Sequence, residues 1–123
     1  MVLGIGIDII DMAEFRDLCD EVFATYVFTE RERVWAASRV DPVQALAGLF
    51  AAKEALTKAV SELEVPAGKD LRVFELTHTN DGAPHVCTDG ECGAFLTAAG
   101  VTSAHVSISH SKFATVASAV LEG

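Results

Sequence analysis

Phe50-Ala51-Ala52-Lys53-Glu54-Ala55-Leu56-Thr57-Lys58 lies in the middle of the longest helix that the sequence predicts. Between Pro42 and Val60 this helix carries only three charged residues, which are Lys53, Glu54 and Lys58. Glu54 and Lys58 are four positions apart, so they lie on one face of the helix, about one turn from each other. This spacing is compatible with a simple intrahelical ion pair, and also with part of a site that holds a metal ion and a phosphate group.

Helix-start signals place three shorter helices around this long one. Asp41-Pro42, followed by Gln44 at the third helical position, marks the beginning of the long helix, and we expect Pro66 and Gly68 to close it. A capping box of Thr and Glu three residues apart begins the helix before it. The predicted shorter helices run from Asp11 to about Glu21, from Thr29 (with Glu32) to about Ser38, and from Thr88 (with Glu91) to Gly100.

Five segments have the composition or alternation of strands, and they cover residues 2–10, 71–79, 84–88, 104–109 and 113–121. Asn80-Asp81-Gly82 is a strong turn signal between the second and the third strand. In the first strand we expect one side to point into the core, namely Leu3, Ile5, Ile7 and Ile9. The order of elements predicts an α+β fold, with a mostly antiparallel sheet, helices on one face and one long central helix.

The composition of the whole chain limits the classes of protein that fit. Its 123 residues suit one compact domain, and we predict a single domain over 1–123. Half of the residues are hydrophobic and mean hydropathy is +0.33, yet no apolar run approaches the ~20 residues of a membrane span. We therefore expect the surplus apolar surface to be buried between subunits. The net charge of -9 disfavours nucleic acid and anionic membranes as partners.

Cysteine usage and the start of the sequence bear on the location of the protein. The three cysteines form no C-x-x-C pair, which argues against a disulfide framework and against a structural zinc site. The first residues lack the basic start and the cleavage site of a signal peptide. We therefore expect a cytoplasmic protein.

Two further segments carry residues with possible chemistry. In Gly4-Ile5-Gly6-Ile7-Asp8 both glycines share one side of the strand with Asp8, which indicates close approach by another group. In the segment 105–110 one strand face carries His105, Ser107 and Ser109, while His110 falls at the strand end. Taken singly, Asp8 is explained as a turn cap and His110 as a surface residue.

Taken together, these residues provide what phosphoryl transfer requires. Asp8 and Glu54 supply two hard oxygen ligands, and Mg²⁺ is typically held by one or two carboxylates, waters and substrate phosphate oxygens. His110 could position or deprotonate a nucleophile. The set offers a metal site, cations and positioning without a covalent protein nucleophile. The cations that could meet phosphate charge are Lys58 and, as further candidates, Lys53 and Lys112.

The three segments resemble the motifs of one family, the holo-acyl-carrier-protein synthases, which are small bacterial 4′-phosphopantetheinyl transferases. The first motif is an apolar-Gly-apolar-Asp strand, here Ile5-Gly6-Ile7-Asp8. The second is an aromatic residue followed by Lys-Glu-Ala and a later Lys, here Phe50 to Lys58. The third is His-Val-Ser-apolar-Ser/Thr-His, here His105 to His110. Each motif alone is weak, but their order, their spacing and nearly the whole chain length fit the family.

The resemblance implies transfer of 4′-phosphopantetheine from coenzyme A to a serine of an apo acyl carrier protein or carrier domain. It implies release of adenosine 3′,5′-bisphosphate and a role in fatty acid biosynthesis. Asp8 and Glu54 would bind Mg²⁺ together with the pyrophosphate of coenzyme A, Lys58 would stabilise that pyrophosphate, and His110 would lie near the reaction centre. The expected catalytic residues are Glu54, Lys58 and His110, and those expected to bind coenzyme A are Asp8, Glu54, Lys58, Ser107, Ser109 and His110.

Some consequences of the resemblance are left open by the residues. The base that takes the serine proton could be Glu54, His110 or a metal-bound water. Members of the family are typically trimers with coenzyme A bound between neighbouring subunits, so we expect a homotrimer. Two other classes of function also fit the residues, which are a different Mg²⁺-dependent pyrophosphate-cleaving enzyme and a non-catalytic oligomeric binding module.

The chain departs from the family at two places. Many relatives have Arg just before the aromatic residue of the second motif, where this chain has Leu49. Many also carry several basic residues on the first helix, whereas Asp11 to Glu21 here contains only Arg16 among five acidic residues. Because steering of an acidic carrier would then be weak, we expect a carrier with a less acidic docking face, such as a domain of a large fatty-acid synthase.

Overall fold

The computed structural model describes residues 1–61, 63 and 70–123, and this part of the chain contains five strands and five α-helices. The strands are β1 (Val2–Asp11), β2 (Leu76–His78), β3 (Pro84–Val86), β4 (Ser103–His110) and β5 (Ala114–Glu122). The helices are α1 (Met12–Leu18), α2 (Glu21–Val27), α3 (Glu30–Ala37), α4 (Pro42–Val60) and α5 (Gly90–Ala98). None of the described helices is long and apolar enough to cross a membrane.

The three long strands form one antiparallel sheet in the order β1-β5-β4, with β5 in the centre. The register sets Asp8 opposite Ala117 of β5, and Ala117 opposite Ile108 of β4. β2 and β3 pair separately as a short antiparallel hairpin around the predicted turn. α4 packs across one face of the three-stranded sheet and contacts all three strands. The predicted α+β class, with an antiparallel sheet and one long central helix, is confirmed.

The side of β1 that faces α4 is the glycine side. A Cβ atom at Gly4 would overlap the carbonyl oxygen of Ala59, and a Cβ atom at Gly6 would overlap that of Ala55. The main chains of β1 and α4 are therefore in direct contact, and the alanines of α4 leave the room for it. The expected close approach at the two glycines is thus confirmed, and the approaching group is the backbone of α4.

The opposite side of β1 faces away from the core. Ile5, Ile7 and Ile9 are 71%, 65% and 69% exposed, so the prediction that they point into the core is wrong. The alternation along the strand was correct, but the core lies on the glycine side because α4 needs that space. We call the surface formed by Ile5, Ile7 and Ile9 the isoleucine face.

We expect Gly6→Ala to destabilise the protein by roughly 1–3 kcal/mol, because an added methyl group would push β1 and α4 apart. Urea unfolding followed by circular dichroism measures the change. Combining it with Ala55→Gly should not restore stability, since the overlapping atom belongs to the Ala55 backbone and not to its side chain. Restoration by the second substitution would contradict main-chain contact as the cause.

The helical segment before α3 differs from the prediction, because the predicted helix from Asp11 ends earlier and a second helix, which was not predicted, follows it. α1 ends at Leu18, and Asp20 then caps α2 by accepting the Phe23 N–H at 2.8 Å. Phe23 packs against Phe50 of α4 with ring centroids 5.5 Å apart. This aromatic contact lies between segments distant in sequence, so the pattern of Asp11 to Glu21 alone did not indicate α2.

The other predicted elements are present with altered bounds. α3 has its capping box, and Asp41 caps α4 by accepting the Gln44 N–H at 3.1 Å. α4 ends at Val60, and the predicted closing residues Pro66 and Gly68 lie outside the described part of the chain. The second predicted strand begins instead with a 3₁₀ turn at Leu71–Val73, and α5 begins after Asp89.

Candidate active site

The first group of predicted site residues lies where β1 meets α4. Lys58 reaches from the helix to the strand, and its Nζ donates to Asp8 Oδ1 at 2.9 Å and to the Ile7 carbonyl oxygen at 3.0 Å. The Lys58 side chain is about half exposed and that of Asp8 is mostly buried. The sequence left open a simple ion pair between Lys58 and Glu54 within the helix. In the structure the ion-pair partner of Lys58 is Asp8 instead.

Glu54 lies half-buried beside the same aspartate. Burial raises the pKa of the Glu54 carboxyl above its ordinary value, the negative charge of Asp8 raises it further, and Lys58 opposes this increase. Two carboxylates and one ammonium leave the cluster with a net negative charge in a partly desolvated place. Such a cluster would be stabilised by one more cation.

The donor set fits a metal ion that is shared with a substrate. Asp8 and Glu54 provide two adjacent carboxylates, which is the number that Mg²⁺ commonly takes from a protein when phosphate oxygens and waters complete its shell. Among the residues that the structure describes, no group of three or more His, Cys, Asp or Glu side chains could hold a metal ion. The described residues thus do not form a closed metal cage, and Mg²⁺ with a bound phosphate fits them.

Lys53, the residue next to Glu54, has a different role. It is completely buried, and its Nζ is 2.8 Å from Glu32 Oε1 and donates to the carbonyl oxygens of Leu71 and Phe74. Burial lowers the pKa of Lys53, and Glu32 opposes that decrease. The expectation that Lys53 could meet substrate phosphate is therefore wrong, because its ammonium is fully occupied inside the core.

Glu32 is a structural residue that the sequence analysis recognised only as half of a capping box. Its Oε1 accepts the Thr29 N–H at 2.9 Å and its Oε2 accepts the Leu76 N–H at 3.0 Å. With Lys53 it joins α3, α4 and the β2 hairpin. A sequence signal was present, because Lys53 falls on the apolar stripe of α4 four residues after Leu49 and three before Leu56, both buried.

His110 lies at the end of β4, on the face of the sheet that α4 covers. Its Nδ1 is 2.9 Å from the hydroxyl oxygen of Thr115. The ring borders a groove of about 270 Å³ between α3, α4 and the β2–β3 turn, which Trp35 and Gln44 also line. Burial lowers the pKa of His110 and Asp41 opposes the decrease, so the environment of the ring favours the neutral imidazole.

The other predicted residues of β4 lie on the opposite face of the sheet. Ser107 and Ser109 are exposed there, on the same side as the isoleucine face. His105 also lies on that side, with its Nε2 2.7 Å from Glu122 Oε1. Lys112 follows His110 in the exposed turn before β5.

The structure thus brings Asp8, Glu54 and Lys58 together but keeps His110 apart from them within one chain. Asp8 and His110 lie on the two outer strands, separated by β5, so their backbones are about 10 Å apart across the sheet. They also differ by two positions in register, since Ile10 and not Asp8 is level with His110. The carboxylate cluster and His110 therefore lie at the two edges of the same sheet.

Comparison with known proteins assigns the class of protein to which this fold and these residues belong. The family model of the 4′-phosphopantetheinyl transferase superfamily matches residues 4–119, so the chain belongs to this family. The predicted enzyme class is thereby confirmed.

Within that superfamily, the relatives that match over nearly their whole length include holo-acyl-carrier-protein synthases. The holo-[acyl-carrier-protein] synthase of Natranaerobius thermophilus is 34% identical over 98% of each chain. The crystal structure of the synthase from Neisseria meningitidis matches all of both chains with a TM-score of 0.87 and 28% identity. The synthase from Bacillus anthracis, solved in complex with CoA (3′,5′-ADP), has a TM-score of 0.78 and 34% identity over 99% of this chain and 97% of that one. The recognised family, the holo-acyl-carrier-protein synthases, is confirmed.

Proposed function

We propose that this chain transfers 4′-phosphopantetheine from coenzyme A to a serine of an apo acyl carrier protein or carrier domain. The observation that carries the proposal is the juxtaposition of Asp8, Glu54 and Lys58, which combines a carboxylate pair with an ammonium group at the edge of the sheet. The coenzyme A complex of the Bacillus anthracis relative supports the choice of co-substrate. The family assignment favours this transferase over a different pyrophosphate-cleaving enzyme and over a non-catalytic binding module.

The reaction forms one oxygen–phosphorus bond, breaks another, and passes one proton from the serine hydroxyl to a base. The oxygen of the carrier serine attacks the β-phosphorus of coenzyme A, and the serine hydroxyl loses its proton. The phosphoanhydride bond breaks, and its electron pair leaves on adenosine 3′,5′-bisphosphate. Lys58 faces this developing charge with an ammonium group that Asp8 and the Ile7 carbonyl hold in place.

We propose that the reaction depends on Mg²⁺, with Asp8 and Glu54 as the protein ligands. The bound ion would supply charge neutralisation on the pyrophosphate oxygens. The half-buried Glu54 carboxyl beside Asp8 supports this assignment, because a cation relieves the repulsion between the two acids. We also propose that the modified carrier serves fatty acid biosynthesis. A cytoplasmic location is part of the same proposal and agrees with the three free cysteines.

We propose a homotrimer in which each site combines the carboxylate cluster of one subunit with residues of β4 from its neighbour. The isoleucine face is an apolar surface on the flat open side of the sheet, and exposed apolar groups of this kind mark contact surfaces. Ser107 and Ser109 share that side. Contact through it would bring the carboxylate cluster of one subunit toward β4 of its neighbour, so that coenzyme A is bound between them.

Ile5→Glu is expected to convert the oligomer to monomers, because it places a charge within the apolar isoleucine face. Light scattering after size-exclusion chromatography measures the mass, and transfer should be lost together with the oligomer. The matched control is Val22→Glu, since Val22 is 77% exposed on α2, and this variant should keep the oligomeric mass. A wild-type protein that is monomeric at micromolar concentration would overturn the trimer.

The charge on α1 bears on the choice of carrier. The single basic residue of this helix, Arg16, forms an ion pair with Asp41, with Nη2 and Oδ2 2.6 Å apart. Its charge is therefore partly neutralised within the protein, which leaves α1 a mostly acidic surface. We propose that the natural carrier has a less acidic docking face, as a carrier domain of a large fatty-acid synthase could have.

The function is tested by incubating the protein with coenzyme A, Mg²⁺ and candidate apo-carriers, and by measuring the carrier mass. Addition of phosphopantetheine at one serine is the expected result. Two carriers are compared, a free acidic carrier protein and a fatty-acid synthase carrier domain. Hydrolysis of coenzyme A without any carrier would instead favour the pyrophosphate-cleaving alternative, and a faster rate with the acidic carrier would contradict the proposed docking preference.

A further inference from the structure

Thr115 on β5 lies beside His110 in the register of the sheet and is completely buried. Its hydroxyl oxygen is 2.9 Å from His110 Nδ1 and 3.2 Å from the sulfur of Met12, which is also buried. A threonine hydroxyl has one hydrogen to donate and can accept hydrogen bonds as well. The sulfur of methionine has no hydrogen, so the contact with Met12 requires the hydroxyl to donate there.

The contact with Met12 favours one direction for the contact between Thr115 and His110. If the hydroxyl hydrogen is directed to Met12, the oxygen can only accept from the imidazole, and the hydrogen of the neutral ring must then be on Nδ1. A neutral imidazole carries one hydrogen, so Nε2 is left with a free lone pair. In histidine the hydrogen bond made by one ring nitrogen determines the protonation of the other.

Gly48 of α4 fixes the position of the same ring. A Cβ atom at Gly48 would be 3.0 Å from His110 Cε1 and 3.2 Å from Nε2. Glycine in a helix interior is unfavourable relative to alanine, and here it provides the space in which the imidazole lies. Thr115 thus contacts Nδ1 of the ring, while α4 lies close to Cε1 and Nε2.

We propose that Thr115 is a positioning residue that keeps His110 in the tautomer with hydrogen on Nδ1, so that Nε2 accepts the proton of the carrier serine. The assignment rests on the proposed function. In the reaction the serine O–H bond breaks, its proton goes to His110 Nε2, the new oxygen–phosphorus bond forms, and adenosine 3′,5′-bisphosphate leaves with the electron pair. His110 of one subunit would act on coenzyme A held by the carboxylates of its neighbour.

The first test measures the tautomer directly in the wild-type protein. Nitrogen-15 chemical shifts of the His110 ring, recorded above the pKa of the ring, distinguish a protonated Nδ1 from a protonated Nε2. The expected result is that the hydrogen is on Nδ1. A hydrogen on Nε2 would overturn the proposal. Since this measurement needs no substrate, it stands apart from the transfer assay, whose failure would count against the proposed function instead.

The second test uses variants of Thr115. Thr115→Val keeps the shape of the side chain but removes the hydroxyl, and we expect kcat to fall roughly 10- to 100-fold with little change in KM for coenzyme A. The ring should shift toward the other tautomer, and Thr115→Ser should restore both kcat and the wild-type nitrogen shifts. Thr102→Val is the matched control, because it removes a threonine hydroxyl that donates to the Glu122 carbonyl oxygen away from His110.

Each outcome of the variant series decides for or against the proposal. A wild-type kcat for Thr115→Val, or an equal loss in Thr115→Ser, would refute a positioning role for the hydroxyl. If Thr115→Val does not fold, Thr115→Ala replaces it, with the same tautomer shift expected in the folded protein. A loss of kcat without any change in the nitrogen shifts would also contradict the mechanism, because it would show a general structural effect.

Discussion

Glu54→Gln is expected to slow phosphopantetheine transfer at least about 100-fold, because it removes one of the two carboxylates that we propose as ligands of Mg²⁺. The amide is nearly the same size as the carboxylate, so the fold should be retained. Neutralising Glu54 also removes its repulsion with Asp8 and the unfavourable burial of its charge. The variant should therefore be at least as stable as the wild type when no metal is present.

Ligand-dependent stability separates the metal role of Glu54 from other roles. Mg²⁺ together with coenzyme A should raise the melting temperature of the wild type, since a ligand that binds only the folded state stabilises it. The Glu54→Gln variant should show a much smaller increase. Full activity of the variant, or an unchanged response to Mg²⁺, would show that the metal assignment is wrong. Glu14→Gln, an exposed carboxylate on α1, is a suitable control.

Lys53→Met should cost roughly 3–5 kcal/mol of folding stability, since removing one partner of a buried ion pair leaves the other charge uncompensated. For a small domain with a total stability of about 5–15 kcal/mol, such a loss is severe. Urea unfolding at pH 7 measures it. Adding Glu32→Gln should recover part of the loss, because the double variant no longer buries an unpaired charge.

Lys58→Met, five residues further along α4, is the matched control for Lys53→Met. The Lys58 pair with Asp8 is half exposed, so the loss of stability should be below about 1 kcal/mol while transfer falls strongly. The two substitutions should thus have different effects. Lys53→Met should mainly reduce stability, and Lys58→Met should mainly reduce the rate of transfer. A similar loss of stability in both variants would contradict this division.

The sequence predicted the fold class and the beginnings of α3 and α4 correctly, because local patterns decide them. Capping signals at Thr29 and Asp41 are satisfied within a few residues of the chain, so they could be recognised without knowledge of the fold. The position of the core relative to β1 was predicted wrongly. Alternation defines two sides of a strand but does not say which one a helix covers.

The candidate site was predictable as a set of residues but not as an arrangement. Asp8, Glu54 and Lys58 were identified from residue type and spacing, whereas the bond between Lys58 and Asp8 depends on how β1 and α4 pack. The contact of Thr115 with His110 follows from the register of β4 and β5, for which the sequence carries no local signal. Lys53 could have been placed in the core from the apolar stripe of α4.

The direct backbone contact between β1 and α4 has a consequence for how this enzyme tolerates change. At Gly4 and Gly6 the spacing between strand and helix is set by main-chain atoms, which are the same for every amino acid sequence. β1 carries Asp8 and α4 carries Glu54. The distance between them should therefore change little when apolar side chains elsewhere in the core are substituted. Relatives can diverge widely in those positions and still inherit the same catalytic spacing, provided that the two glycines persist.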